Sequence, residues 1–335
     1  MKAGVLTLLV GQAFACLAGS PQGGSLQRLE ATVDAMGTTY TIVAYGSDGN
    51  RLRAAVEDAS EEVRRLDRLL SNYLPASEWS QVNSLAAKQA VRVSPELFQL
   101  LAACVEYSRQ SEGAFDITVG PLMKVWGFYK GTGHLPHRAE VRGALGHIGY
   151  QNIVLDPKDN TVRFARDGVE IDPGGIGKGF AVDKMVAILK DDGITSALVS
   201  AGGSSIYGIG TPPNEQRGWH VTIRHPKDAS KSVAEVWLHD NSLSTSGNYE
   251  KFFFAEGRMY SHIMDPRTGY PAEGMLSASV VAPKTLDSEA WTKPYYIRGR
   301  KLAAAARHKQ QGFRVFLCED KTPLSKGSDQ CAWLQ

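Results

Sequence analysis

The sequence predicts a mixed α/β (α+β) fold, with mixed sheets carrying packed helices. Two observations predict it. Strand-like and helix-like segments alternate along the chain, and they do so without the regular βαβ spacing of a doubly wound parallel sheet. The composition, 43% hydrophobic and 21% charged over 335 residues, supplies ample core material for one large domain or two closely packed ones.

Residues 1–20 read as an export signal. Lys2 precedes a short apolar run from Ala3 to Val10, and small residues follow through Ser20. The run is too short to cross a bilayer as a stable helix. Ala13-Phe14-Ala15 fits a signal-peptidase pattern, and Cys16 directly after it suits the acylated cysteine of a lipoprotein, anchoring the chain to a membrane. Ala13 stands where a lipobox has a leucine-like residue, so the anchored and the free exported forms both stay open. Export implies the periplasm, or the periplasmic face of a bacterial inner membrane. The competing reading is an N-terminal helix of the fold. Residues 21–29, rich in Gly, Ser and Gln, read as a linker, and 30–335 as the functional domain.

Arg28 to Ala44 carries a strand pattern broken at Met36-Gly37. Leu52, Val56, Ala59, Val63, Leu66 and Leu70 recur at helical spacing and predict an amphipathic helix over 52–70. Ser94-Pro95-Glu96 opens a second helix: a hydroxyl cap, proline at the first position and a carboxylate in the first turn. Gly113 to Pro121 reads as a loop and 130–145 as a polar excursion. Short strands are expected at 153–155, 161–164 and 169–171, then a helix from Lys178 to Lys190 closed by Gly193. Residues 196–210 alternate strand with Gly turns. Further strands are expected at 221–223, 234–238 and 277–281, with a last helix from Arg300 to His308 and a strand from Phe313 to Leu317.

Lys and Arg number 37 against 35 Asp and Glu, a net charge of +2 with no basic stripe. That balance excludes a nucleic-acid binder; a small anionic ligand stays open. Beyond the signal three cysteines remain. Cys104 falls on an apolar helix face and reads as a buried thiol, while Cys318 and Cys331 are either a disulfide or two free thiols. No CxxC or Cys/His cluster predicts zinc.

Two stretches carry chemistry. In Asp172-Pro173-Gly174-Gly175-Ile176-Gly177-Lys178-Gly179, four glycines in six residues precede a helix start. Such a turn lets backbone approach a ligand, free N–H groups at the helix start favour an anion, and Lys178 adds a full charge. Neither the GxxxxGK[ST] nor the GxGxxG pattern fits, and a plain strand-to-helix turn is the alternative. In His262-Ile263-Met264-Asp265-Pro266-Arg267-Thr268-Gly269, a turn follows a histidine able to move protons near neutral pH, or one simply satisfied within the core. Met36-Gly37-Thr38, Ser71-Asn72-Tyr73, Gly113-Ala114-Phe115-Asp116 and Thr245-Ser246-Gly247 place small and polar residues at element ends.

In this order, from Met36 to Gly299, these stretches resemble the FAD:protein FMN transferase (ApbE-like) family. The resemblance implies an ApbE-like flavin transferase fold and an FAD held by Met36, Tyr73, Ala114, Phe115, Asp116, Asp172, Lys178 and Ile263. Tyr73 and Phe115 would offer faces to rings, and Lys178 with the glycines would meet the pyrophosphate. It implies magnesium beside that pyrophosphate, held by Gly175, Glu289 and Thr292, and attack by a Ser or Thr hydroxyl of an acceptor on the FMN phosphorus with release of AMP. Lys178 and His262 are the catalytic candidates, His262 for the proton. The acceptor expected is a flavoprotein of an envelope redox or respiratory complex. Two rival readings share the site: an FAD pyrophosphatase, in which water replaces the acceptor, and a non-catalytic flavin-binding or delivery protein. Departures cluster at the metal. Glu289 stands for the family's Asp and Lys293 for its Thr, with Asp287 and Thr292 as nearby substitutes, Pro294 disturbs the expected helix, and Gly202-Gly203-Ser204 lacks the usual acidic or amide residue.

Overall fold

The computed structural model describes residues 25–306, 312–320 and 330–334. The expected signal with Cys16, residues 21–24 of the linker, and the 307–308 end of the last expected helix lie outside the described residues.

In chain order the strands are β1 (Gln27–Ala35), β2 (Thr38–Gly46), β3 (Val91–Arg92), β4 (Ile153–Asp156), β5 (Thr161–Phe164), β6 (Ser196–Ala201), β7 (Ser205–Ile209), β8 (Trp219–His225) and β9 (Asp228–Leu238). They continue as β10 (Asn241–Gly247), β11 (Phe252–Ala255), β12 (Arg258–Ser261), β13 (Met264–Asp265), β14 (Tyr270–Pro271), β15 (Met275–Ala282), β16 (Arg314–Glu319) and β17 (Gln330–Trp333). The helices are α1 (Gly49–Leu70), α2 (Glu78–Leu85), α3 (Pro95–Gln110), α4 (Gly120–Val125), α5 (Arg138–Leu145), α6 (Gly177–Asp191) and α7 (Thr285–Ala306).

One eight-stranded sheet, ordered β1-β2-β6-β7-β10-β15-β16-β17, organises the molecule, and its pairings are antiparallel. Strand alternation decides which face each side chain serves. Tyr40, Ile42 and Ala44 of β2 face the helices, while Val43 and Tyr45 face the β8–β9 hairpin around Trp219. Helices α1 and α6 bury their apolar stripes in the first layer, and α7 packs on Ala278, Val280 and Ala282 of β15. Covered on both faces, β15 is buried along its whole length. At the far edge Cys318 and Cys331, register partners on β16 and β17, form a disulfide; Cys104 is a buried free thiol.

The Met36-Gly37 break is a two-residue hairpin turn with both residues at positive φ, 51° and 69°. Four expectations need correction. Val169 to Ile171 is not a strand: the Ile171 N–H donates to Asn83 Oδ1 at 2.8 Å, and its carbonyl accepts from Trp79 Nε1 and Asn83 Nδ2, so side chains of α2 replace a ladder. The expected loop at 113–121 contains a 3-10 turn, Ile117–Val119, and the start of α4. The polar excursion holds α5, whose capping box at His137 and Glu140 offsets its weak apolar pattern. Pro294 does not end the helix that runs from Thr285 to a break at Gly299 (φ 60°); beyond that break Arg300 to Ala306 is helical, as expected.

Candidate active site

The site forms where the start of α6, the middle of α7, the ends of β7 and β10, and the segment after β12 converge. Gly174, Lys178, Ser204, Ser205, Thr245, Ser246, Gly247, Glu250, His262, Glu289 and Lys293 line one pocket. Lys178 and His262, 84 residues apart in sequence, are thus brought together, and Glu289 with them.

Asp172 opens the glycine turn and holds it from beneath. Its Oδ1 accepts from the Gly174 N–H at 2.8 Å, and its Oδ2 from Tyr129 at 2.6 Å and Asn72 at 3.1 Å. Burial raises its pKa above the usual carboxylate range, and these donors oppose the shift. Lys178, on the first turn of α6, donates to Ser204 Oγ at 2.5 Å. The N–H groups at the head of a 15-residue helix open beside it.

His262 Nδ1 lies 3.0 Å from the Lys251 carbonyl. A carbonyl only accepts, so Nδ1 carries the proton and Nε2 keeps its lone pair. Desolvation lowers the imidazole to about 4, and the ammonium groups of Lys251, Lys178 and Lys293 push it the same way. At neutral pH it is an uncharged acceptor.

On α7, Glu289 Oε2 accepts from the Gly179 N–H. Thr292 Oγ1 donates to the Glu289 carbonyl at 2.7 Å and shares a 2.7 Å bond with Ser246. Lys293 Nζ donates to the same carbonyl at 3.0 Å and sits 3.8 Å from Glu289 Oε1. Burial pulls Lys293 down to about 8, opposed by Glu289 and aided by Lys178, which leaves it charged at pH 7. Its Cε lies 3.6 Å from where a Cβ on Gly175 would stand.

The remaining candidates fall around this centre. Met36 lies against the block, its Sδ 3.8 Å from a Cβ position on Gly177, and its N–H donates to Asp67 at 3.0 Å. Tyr73 is 74% exposed on the turn next to Asn72. Ala114 and Phe115 are buried, Phe115 edge-on against Tyr107, so Tyr73 is the ring with a free face. Asp116 is buried and structural in its bonding: its carboxylate accepts from Thr118 and the Tyr150 N–H. Ile263 is buried in the α7–β15 cluster. Sequence reasoning missed Tyr129, Glu250 and Lys251; each stands outside any motif, and only the fold brings it near.

A glycine turn at a helix start and two ammonium groups offer the pocket donors for an anion beside a neutral imidazole able to accept a proton. The chain belongs to the ApbE family, whose sequence profile matches residues 36–317. It is 29% identical over 292 residues to the FAD:protein FMN transferase of Klebsiella pneumoniae, covering 85% of this chain and 88% of that one. Among solved structures, the ApbE protein of Thermotoga maritima superposes with a TM-score of 0.80 at 29% identity, over 88% of this chain and 94% of the other. The apo flavinyl transferase ApbE of Pseudomonas stutzeri gives 0.79 at 27% identity, over 92% and 94%.

The magnesium implied by the resemblance does not fit these residues. Magnesium needs oxygen ligands in near-octahedral array. Here one Glu289 oxygen is taken by Gly179, the Thr292 hydroxyl is turned to its own helix and Ser246, and an ammonium stands before Gly175. Two unit charges about 4 Å apart repel by about 4 kcal/mol near a protein surface, doubled for a divalent ion.

Proposed function

We propose that this chain is an FAD:protein FMN transferase acting on an exported acceptor. A Ser or Thr hydroxyl of the acceptor attacks the FMN phosphorus of FAD. The new P–O bond forms as the bond to the AMP oxygen breaks, and the hydroxyl proton passes to His262 Nε2. AMP leaves with its charge met by Lys178 and the α6 N–H groups. The acceptor hydroxyl is therefore activated by a neutral imidazole, while the chain's cations balance charge on the phosphates.

The observation that carries the reading is the shared pocket of Lys178, His262 and the glycine turn, with Nδ1 of His262 fixed as donor so that Nε2 is free. The name of the Klebsiella relative supports FAD as donor and a protein as acceptor, and that of the Pseudomonas relative supports flavinyl transfer. Export to the periplasm, with Cys16 as a possible point of lipid attachment, is supported by the 1–20 pattern and by the Cys318–Cys331 bridge, which suits an oxidising compartment. An acceptor subunit of an envelope redox or respiratory complex is what the family resemblance implies for that location.

Incubating the mature protein with FAD and a candidate acceptor tests the reading. In-gel flavin fluorescence on the acceptor with equimolar AMP is expected. AMP without label makes the chain a hydrolase, and intact FAD retained on the protein makes it a carrier.

A further inference from the structure

We infer that Lys293 is the resident counter-ion of the pocket: with Lys178, its ammonium holds the pyrophosphate of the bound dinucleotide where a divalent cation would otherwise stand. The inference rests on the flavin reading above. Position is the first support. Lys293 lines the same pocket as Gly174, Lys178 and His262, and its terminal methylene touches the space above Gly175, where backbone without a side chain lets a phosphate approach.

Anchoring is the second. A lysine on a surface helix ordinarily reaches for water. This one turns back along α7, its side chain 20% exposed, and donates to the Glu289 carbonyl. An ammonium has three N–H donors; one is taken there, Glu289 Oε1 lies 3.8 Å away, and the remaining reach is into the pocket. Donor chemistry is the third support. Two of the oxygens that would ligate a metal are already engaged, Glu289 Oε2 by Gly179 and Thr292 Oγ1 by Ser246 and the helix. Glu289 Oε1 and the Glu250 carboxylate remain as acceptors in the pocket, facing the ammonium groups of Lys178 and Lys293.

Titration of FAD onto the mature protein, followed by flavin fluorescence, tests this. Wild-type affinity is expected to agree within about twofold in EDTA and in magnesium, because the charge-assisted bonds come from the protein. Lys293→Met is expected to weaken binding about tenfold or more in both buffers, and Lys293→Arg to restore most of it. Lys293→Thr is expected to bind weakly in EDTA and to recover with magnesium. Manganese, read by its electron-spin resonance without nucleotide, should remain free in solution with the wild type. Wild-type FAD binding that collapses in EDTA, manganese captured by the wild type, or Lys293→Met binding as well as wild type would each overturn the inference. FAD bound in neither buffer would refute the flavin reading itself, and this inference with it.

Discussion

Single side chains set the chemistry. His262 has a folded-state pKa near 4 against 6.5 for the free group. Between those values the unfolded chain holds a proton that the folded chain lacks, so stability falls as pH drops from 6.5 toward 4 and the loss is complete below 4. Since the ring is half-buried, a loss of about 1–2 kcal/mol between pH 7 and pH 5 is expected, and urea unfolding at the two pH values measures it. His262→Gln should lose that much less; an equal loss in both proteins would mean that the imidazole is not desolvated. Lys178→Ala removes a charge at the glycine turn and is expected to weaken FAD binding about tenfold or more by calorimetry. At this scale the glycine block, Lys178 and His262 were legible because each sits in a local pattern with a chemical reason. The Lys251 carbonyl that fixes the His262 tautomer was not, because nothing in residues 248–251 announces that backbone role.

Elements hold those side chains in place through contacts the sequence only partly reveals. Helices α6 and α7 meet at Gly179, where an added Cβ would stand 2.5 Å from the Thr285 carbonyl and 2.9 Å from Glu289 Oε2. Asp183 of α6 then caps α7, accepting from the N–H groups of Thr285 and Leu286 at 2.7 and 2.9 Å. Gly179→Ala would gain about 1 kcal/mol of helix propensity. Overpacking against backbone costs about 1–3 kcal/mol. The added methyl would also crowd Glu289 Oε2, which accepts from the Gly179 N–H. A net fall in melting temperature with weaker FAD binding is expected, and a stabilised variant would contradict the close contact. Sequence periodicity captured α1, α3 and α6, whose stripes and caps agree. It missed α2, because eight residues give too little period, and of α7 it caught only the part after Gly299. Pro294 suggested a boundary, yet the helix continues and Glu289 gains side-chain donors from Thr292 and Lys293 one turn earlier. The true break is Gly299, whose φ of 60° a glycine adopts without strain.

Across the whole molecule, the fold gathers residues from sequence positions 174 to 293 onto one pocket. Its last strand is fastened by Cys318–Cys331, a bridge 13 residues in span. Closing a loop of that size stabilises by about 3 kcal/mol, so Cys331→Ser is expected to unfold at clearly lower urea while FAD binding at low denaturant stays close to wild type. An unchanged midpoint would show that the bridge does not constrain the folded chain. The fold class was legible from alternating elements without βαβ rhythm. Strand order was not, because β10 and β15 pair across 27 intervening residues that carry two small hairpins of their own.

On the flavin reading proposed above, this pocket grips the phosphate bridge of the dinucleotide rather than its ring. Comparing FAD with riboflavin by calorimetry on the mature protein tests it most directly. FAD should bind at least about tenfold more tightly, and that margin should narrow in Lys178→Ala. Equal affinities for the two ligands in the wild type would contradict it.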